Sequence, residues 1–168
     1  MTKKATVIAM ASRDKALAQL ERVATELDLQ RLPGYLIRRL DSRAASLYEQ
    51  FTGQTDLTPR QFGVLLTLLQ SGALAQSELG NRLHLDRSTL GEMLQRMVER
   101  NLVDRRAHEH DRRAIEVVLT EIGRKALLRT VEQAAEAQEA LLSPLPVYLR
   151  PVFLKCLEIL AEAGSAAD

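Results

Sequence analysis

The chain has 168 residues, of which 46% are hydrophobic and 27% charged, so it can bury a core as one domain or one domain with a packed extension. The formal net charge is only +1, which argues against sequence-independent coating of nucleic acid. The single cysteine, Cys156, excludes a disulfide within the chain. No stretch is long and apolar enough to span a membrane, so we expect a cytoplasmic protein with no membrane partner.

Hydrophobic periodicity predicts a mainly helical chain with one short pair of strands. Helices are expected at residues 12–29, 34–50, 59–70, 75–83, 86–101, 120–142 and 148–163, and strands at residues 102–103 and 114–119. The first dozen residues are predicted to form a tail that is mobile or held by a partner. Their Lys-Lys pair and short apolar run only faintly resemble a secretion signal. The last residues, 164–168, are expected to fray.

Two short helices are predicted between residues 58 and 83. Thr58 is expected to cap the first, because its hydroxyl can accept a hydrogen bond from a free N–H of the first turn. The second contains Gln76, Ser77 and Arg82, and such side chains can contact phosphate near a helix start. They can equally serve as capping or surface groups.

The helix at residues 86–101 has a start signal, one apolar face and a stop signal. The Asp86 carboxylate can accept hydrogen bonds from the first turn, and Asn101 tolerates the left-handed backbone that ends many helices. The opposite, polar face holds Arg87, Ser88, Thr89, Gly91, Glu92, Gln95 and Arg96. Arginine can pair with guanine edges or phosphate, glutamine with adenine, and the threonine methyl with the thymine methyl. The pattern is typical of a helix that binds in a DNA groove, with a solvated face as the alternative.

A charged hairpin is predicted directly after this helix. Strand-forming segments at residues 102–103 and 114–119 flank a charged run. Arg112 and Arg113 can enter a narrow minor groove, where the negative potential is strongest, and Asp111 can hold either guanidinium in position. The alternative is an ordinary charged turn. A helix followed by such a hairpin is typical of a winged helix-turn-helix.

The carboxyl-terminal third is predicted to form two helices. Thr120 is expected to cap the first, which Pro144 and Pro146 end. Cys156 falls on the apolar face of the second, near Phe153, so we predict a small buried side chain, with redox sensing as the alternative. Two such apolar helices beside a small domain predict a shared dimer interface.

The order and spacing of these segments resemble the MarR family, the multiple-antibiotic-resistance regulators. The resemblance covers roughly residues 32–163. It is carried by LTPRQF at 57–62, QSEL at 76–79, DRSTL at 86–90, ERNLV at 99–103, and by Asp111, Arg113, Val117, Leu119 and Thr120 in the wing pattern Asp-x-Arg-x-x-x-Val-x-Leu-Thr. The resemblance implies a winged-helix homodimer on a pseudo-palindromic operator, usually a repressor that a small ligand releases.

The expected fold is mainly α with a small β-hairpin wing. We expect a winged helix-turn-helix DNA-binding domain at residues 57–119 and a helical dimerisation region at residues 32–56 and 120–168. Residues 1–31 add a tail and an extra helix, which is expected to cover the dimerisation region or clasp the other subunit. The expected partners are double-stranded DNA, a second copy of the chain and a small aromatic effector.

The resemblance also implies a ligand pocket between the first dimerisation helix and the winged-helix domain. Tyr35 is followed about one turn later by Arg38 and Arg39, a combination that suits an aromatic acid or phenol, such as a hydroxylated pyridine carboxylate. Phe51 and Phe62 can line the same cavity. The alternatives are arginines that face solvent or pair with nearby acids, and phenylalanines that belong to the core.

Two positions depart from the family pattern. Members often have Thr-Arg where this chain has Gly91-Glu92, which removes an expected phosphate or base contact and suggests an unusual operator. Glu92 can accept from a cytosine amino group or pair with Arg96 one turn later. Asn101 replaces the usual glycine and permits the same backbone turn.

Other classes of function have little support. His84, His108 and His110 have no cysteine nearby to complete a typical zinc ligand set, so we expect no metal and no other cofactor. There is no glycine-rich phosphate loop and no nucleophile motif, so we expect no enzyme activity. The main alternative is a winged helix that binds another protein and no operator, which the near-neutral charge and Glu92 permit.

Overall fold

The computed structural model describes residues 3–53, 55, 57–107 and 115–163, with side chains from Lys15 onward. Its helices are α1 (Lys3–Glu26), α2 (Pro33–Thr52), α3 (Pro59–Ser71), α4 (Gln76–Leu83), α5 (Arg87–Glu99), α6 (Glu121–Leu142) and α7 (Arg150–Glu162). Its strands are β1 (Leu74–Ala75), β2 (Val103–Ala107) and β3 (Ile115–Leu119), and short 3-10 turns lie at Leu29–Arg31 and Val147–Leu149. The predicted fold class, mainly α with a small β-hairpin, is confirmed.

The chain divides into two compact units, residues 1–43 and residues 44–168, and each is described by itself. The first contains α1, a 3-10 turn and the beginning of α2. Asp28 caps that turn, where its carboxylate accepts from the Gln30 N–H at 3.0 Å. Because α1 begins at Lys3, the prediction of a tail over the first dozen residues is wrong. The alanines, lysines and methionine of that stretch favour a helix, and no glycine or proline interrupts it.

The core of the second unit lies between α3, α4, α5, α6 and the sheet. Its most deeply buried side chains are Val64, Leu65 and Leu68 of α3, Leu79 of α4, Leu90, Leu94 and Met97 of α5, Val103 of β2, Val117 of β3 and Leu127 of α6. On the helices these positions recur every three or four residues, so each helix buries one face. The opposite face of α5 is thereby left to solvent.

The sheet is antiparallel in the order β1-β3-β2. Leu74 of β1 pairs with Val117, and Val103 of β2 pairs with Leu119. The predicted hairpin corresponds to β2 and β3, whereas β1 was not predicted, because a strand of two residues carries no alternating pattern. Since β1 runs directly into α4, its pairing with β3 fixes the start of α4 beside the hairpin.

The end of the second unit is helical and partly uncovered. No residue of α7 is buried, and Cys156 is exposed, so the prediction of a buried cysteine is wrong for the single chain. Val152 and Leu160 of the same helix are 57% and 64% exposed, because no described part of the second unit covers this apolar face. No described helix is by itself long and apolar enough to span a membrane. Only α6 and residues 147–162 taken together reach the required length and composition, and the chain bends by 103° between them.

Candidate nucleic-acid interface

The start of α5 is held by a dense set of hydrogen bonds to Asp86. Its carboxylate accepts from the Thr89 N–H at 2.9 Å, the Ser88 hydroxyl at 2.6 Å and the Thr89 hydroxyl at 2.6 Å. These bonds, the one from Ser88 above all, hold the pKa of Asp86 well below its usual range. The predicted cap is confirmed. With their protons directed to Asp86, Ser88 and Thr89 can still accept hydrogen bonds from base amino groups but cannot donate to a phosphate oxygen.

The polar face of α5 is open along the helix. Arg87, Ser88, Glu92, Gln95 and Arg96 are exposed, opposite the buried apolar side chains of the same helix, while Thr89 and Gly91 are half-buried. Neither Arg87 nor Arg96 forms an ion pair with a residue that the structure describes. Both guanidiniums are therefore available to a phosphate or a base.

Three of the predicted DNA-binding residues surround one cleft of about 420 Å³. Gln76 and Ser77 come from the start of α4 and Arg87 from the start of α5. Arg82, in contrast, donates to Glu78 and to the Ser71 hydroxyl, each at 2.7 Å, and thereby ties α4 to the end of α3. Tertiary structure thus unites residues from two helices on one surface.

Gly91 of α5 lies near Gln76, one of the residues that line this cleft. A Cβ atom there would meet the Gln76 side-chain nitrogen at 3.7 Å, an ordinary contact. The glycine at this position, where the resemblance to the family predicts that threonine is frequent, is therefore not required by lack of space.

Arg105 of β2 joins the wing to α5. Its guanidinium donates to the Gly91 carbonyl at 3.3 Å and to Gln95 Oε1 at 3.5 Å. Gln95 in turn donates to Glu99 at 3.1 Å, so each end of its carboxamide has one partner and keeps one further donor or acceptor position. The sequence analysis did not single out Arg105. Strand alternation could have found it, because it falls on the same strand face as the buried Val103.

The tip of the wing falls outside the described residues. Asp111, Arg112 and Arg113, with His108 and His110, belong to residues 108–114, and their predicted roles stay predictions. At the edge of this gap, Arg106 is exposed and lies 3.5 Å from the Asp104 carboxylate. In the described part of the chain, no cluster of three or more metal-binding side chains is present.

The predicted ligand-binding residues of the first unit are Tyr35, Arg38 and Arg39. The Arg39 guanidinium carbon lies 5.9 Å from the centre of the Tyr35 ring, a distance that allows a cation–π contact. Arg38 is exposed, and its carbonyl accepts from the Ser42 hydroxyl at 3.0 Å. The arginine beside the ring is therefore Arg39.

The other two predicted ligand residues, Phe51 and Phe62, belong to the second unit and are half-buried. The Phe62 ring packs edge-on against Tyr48, with ring centres 6.2 Å apart. Tyr48 is buried and donates to the Leu57 carbonyl at 3.2 Å, and burial raises the pKa of its phenol. Phe62 thus has a packing role in the unit, whatever else it contacts.

The fold and this surface define a winged helix-turn-helix transcription regulator. The sequence model of the MarR family matches residues 57–115. The ligand complex of PcaV from Streptomyces coelicolor is 30% identical, and the match covers 82% of this chain and 97% of that one, with a TM-score of 0.77. The chain belongs to the MarR family, whose members are transcription regulators and not enzymes.

Two further solved structures are similar over most of their length. The transcriptional repressor CouR, bound to a 23-mer DNA duplex, is 30% identical with a TM-score of 0.74, and the match covers 81% of this chain and 99% of that one. BpsR of Bordetella bronchiseptica, whose DNA binding is regulated by 6-hydroxynicotinic acid, is 25% identical with a TM-score of 0.77. That match covers 84% of this chain and 99% of BpsR. Two curated transcriptional regulators match over only about half of their own length, 55% and 54%.

Proposed function

We propose that the chain is a homodimeric repressor that binds a pseudo-palindromic operator and leaves it when a small aromatic acid or phenol binds. The observation that carries the proposal is the exposed polar face of α5. Arg87 and Gln95 offer the groups that pair with guanine and adenine edges or with phosphate, and Asp86 keeps the first turn in shape. The likeness to CouR, a repressor in a DNA complex, supports the same role here.

The wing and the start of α4 are expected to complete the contact. Gln76 and Ser77 line the same cleft as Arg87, and we expect them to contact phosphate. At the wing tip, Asp111 is expected to hold Arg112 or Arg113 for insertion into the minor groove.

Dimerisation is supported by the open apolar face of α7. Apolar side chains exposed on a terminal helix are usually covered by a partner, and a second copy of the chain would cover both faces by symmetry. Such a dimer can place its two α5 helices in successive major grooves, about 34–36 Å apart. An effector that binds better to a dimer with another spacing lowers operator affinity; one that binds both spacings equally does not.

The effector class is inferred from Tyr35 and its two arginines. Because Arg39 covers the ring, Arg38 is the guanidinium that we expect to pair with a carboxylate. Similarity to BpsR, which responds to 6-hydroxynicotinic acid, makes hydroxylated pyridine carboxylates one candidate class.

The test is fluorescence anisotropy of the purified chain on DNA from upstream of its own gene, at fixed salt, with 6-hydroxynicotinate or 4-hydroxybenzoate added. We expect tight binding that one of these acids weakens at least tenfold. Arg87→Gln should weaken DNA binding, whereas Arg124→Gln, an exposed arginine of α6 outside the DNA-binding surface, should not.

Two results would count against the proposal. Tight binding that no acid changes would leave a regulator without the proposed effector. No binding beyond salt-dependent background, on several upstream fragments, would favour a winged helix that binds another protein.

A further inference from the structure

Of the three carboxylates within α5 or at its start, only that of Glu92 has no partner among the described residues. Asp86 accepts three hydrogen bonds at the start of the helix, and Glu99 accepts one from Gln95 at 3.1 Å. Glu92 is exposed and forms no ion pair with Arg96 one turn later, nor with any other residue that the structure describes. Its carboxylate is therefore available to a ligand.

Glu92 lies in the middle of the exposed face of α5. With about 3.6 residues per turn, Ser88, Glu92 and Gln95 point away from the buried side chains of the helix, while Arg87 and Arg96 lie at the two margins of the face. Guanidiniums at both margins suit the two phosphate backbones that border a groove. When α5 lies in a major groove, as proposed above, Glu92 is directed at the base edges.

The charge of Glu92 limits the groups that it can bind there. A carboxylate has only acceptors, so it cannot hydrogen-bond to a phosphate oxygen, and the two negative charges repel each other. In the major groove, the hydrogen-bonding groups of guanine and thymine are acceptors as well, whereas cytosine and adenine each present an amino group. Glu92 therefore discriminates against guanine and thymine.

The neighbouring Ser88 has the same acceptor character. Its hydroxyl donates to the Asp86 carboxylate at 2.6 Å, so only its lone pairs remain for a base. Ser88 and Glu92 lie four residues apart, which places two acceptors about one turn apart on the same face. The middle of the face suits DNA that presents amino groups.

Between the two bases with amino groups, cytosine suits a carboxylate better. The adenine amino group lies between two acceptors, its own N7 and the O4 of the paired thymine, and these repel the second carboxylate oxygen. The cytosine amino group has such a neighbour on one side only, the O6 of the paired guanine. We propose that Glu92 is a specificity-determining residue, which accepts a hydrogen bond from a cytosine amino group in each half of the operator. The inference rests on the operator binding proposed above.

A change of base preference tests the role of Glu92. The carboxamide of glutamine has a donor and an acceptor, which pair with N7 and N6 of adenine. In Glu92→Gln, the preferred base at one position of each half-site should therefore change from cytosine to adenine, while the other positions keep their preference. Selection from random duplex DNA, by the full natural chain and by the variant, identifies that position.

Fluorescence anisotropy then measures the size of the change. The natural chain should bind its selected operator about tenfold more tightly than the same DNA with adenine at this position of one half-site, the usual cost of a mismatched base pair. Glu92→Gln should reverse that order. Glu132→Gln removes the same charge from an exposed position of α6 and should keep the selected sequence and the order of the natural chain.

Three results would overturn the assignment. In the first, the natural chain and Glu92→Gln select the same sequence. In the second, Glu92→Gln strengthens binding to both DNAs by the same factor, as removal of a charge that reads no base would do. In the third, it loses binding to both. If the natural chain selects no sequence at all, the proposed operator binding itself fails, so that failure is distinguishable from failure of the role of Glu92.

Discussion

A Cβ atom on Gly123 would overlap the carbonyl oxygen of Leu102, so the first turn of α6 packs directly on the turn that follows α5. The Thr120 hydroxyl joins the same two segments. It accepts from the Gly123 N–H at 3.0 Å and shares its proton between the Asn101 carbonyl at 2.5 Å and the Leu102 carbonyl at 3.1 Å. The position of α5, and with it the DNA-binding face, therefore depends on a contact that only glycine permits.

Gly123→Ala should destabilise the protein by about 3 kcal/mol, because the backbone on the other side of the contact cannot move without disturbing α5. Urea denaturation measures the change. Gly63→Ala is the matched control, since its Cβ would meet Leu83 Cδ2 at an ordinary 3.8 Å and alanine favours a helix interior by about 1 kcal/mol. Equal midpoints for the two variants would contradict the proposed clash.

Asn101 has a φ of 54°, in the left-handed region that glycine adopts without strain. Asn101→Ala should therefore cost about 1 kcal/mol, while Asn101→Gly should leave the free energy of unfolding nearly unchanged or raise it. Thermal or urea unfolding distinguishes the two. A glycine variant less stable than the alanine variant would refute a backbone role for this residue.

Asp86 should stabilise the protein in a pH-dependent way. The Ser88 and Thr89 hydrogen bonds lower its pKa below the ordinary 3.8, so its stabilisation is fully present above that pH and is lost as the pH falls towards the folded-state pKa. The difference in urea midpoint between the natural chain and Asp86→Ala should be equal at pH 7 and pH 5 and smaller at pH 3. The same difference at all three values would show that the carboxylate charge is not what matters.

Arg105→Met should weaken operator binding roughly tenfold. The variant loses the hydrogen bonds that hold α5 and Gln95 against the wing, and a loss of about 1.4 kcal/mol corresponds to a tenfold change in affinity. Base preference, measured by selection from random DNA, should relax at the position that Gln95 contacts. Arg106→Met is the control, because that exposed side chain is paired with Asp104 and not with α5. If both variants bound with the same affinity and preference, Arg105 would have no positioning role.

The helix starts illustrate what local sequence can predict. The Thr58 hydroxyl accepts from the Gln61 N–H at 3.3 Å, and the Gln61 side-chain oxygen accepts from the Thr58 N–H at 3.1 Å. Thr120 and Asp86 cap their helices as expected. These signals act over three residues and need no tertiary partner. β1 and the Arg105 contact depend on pairings with distant segments, which leave only weak local patterns.

The sequence by itself determined the helices from residue 12 onward, their caps, the hairpin and the polar face of α5, because these follow from periodicity and from hydrogen bonds between near neighbours. Tertiary structure decided which of those polar residues come together. It brought Gln76, Ser77 and Arg87 around one cleft and turned Arg105 inward onto α5. It also left Cys156 exposed on an uncovered face. The physical reason is that burial depends on which segments pack against a helix, and the sequence pattern of one segment does not specify which other segment it contacts.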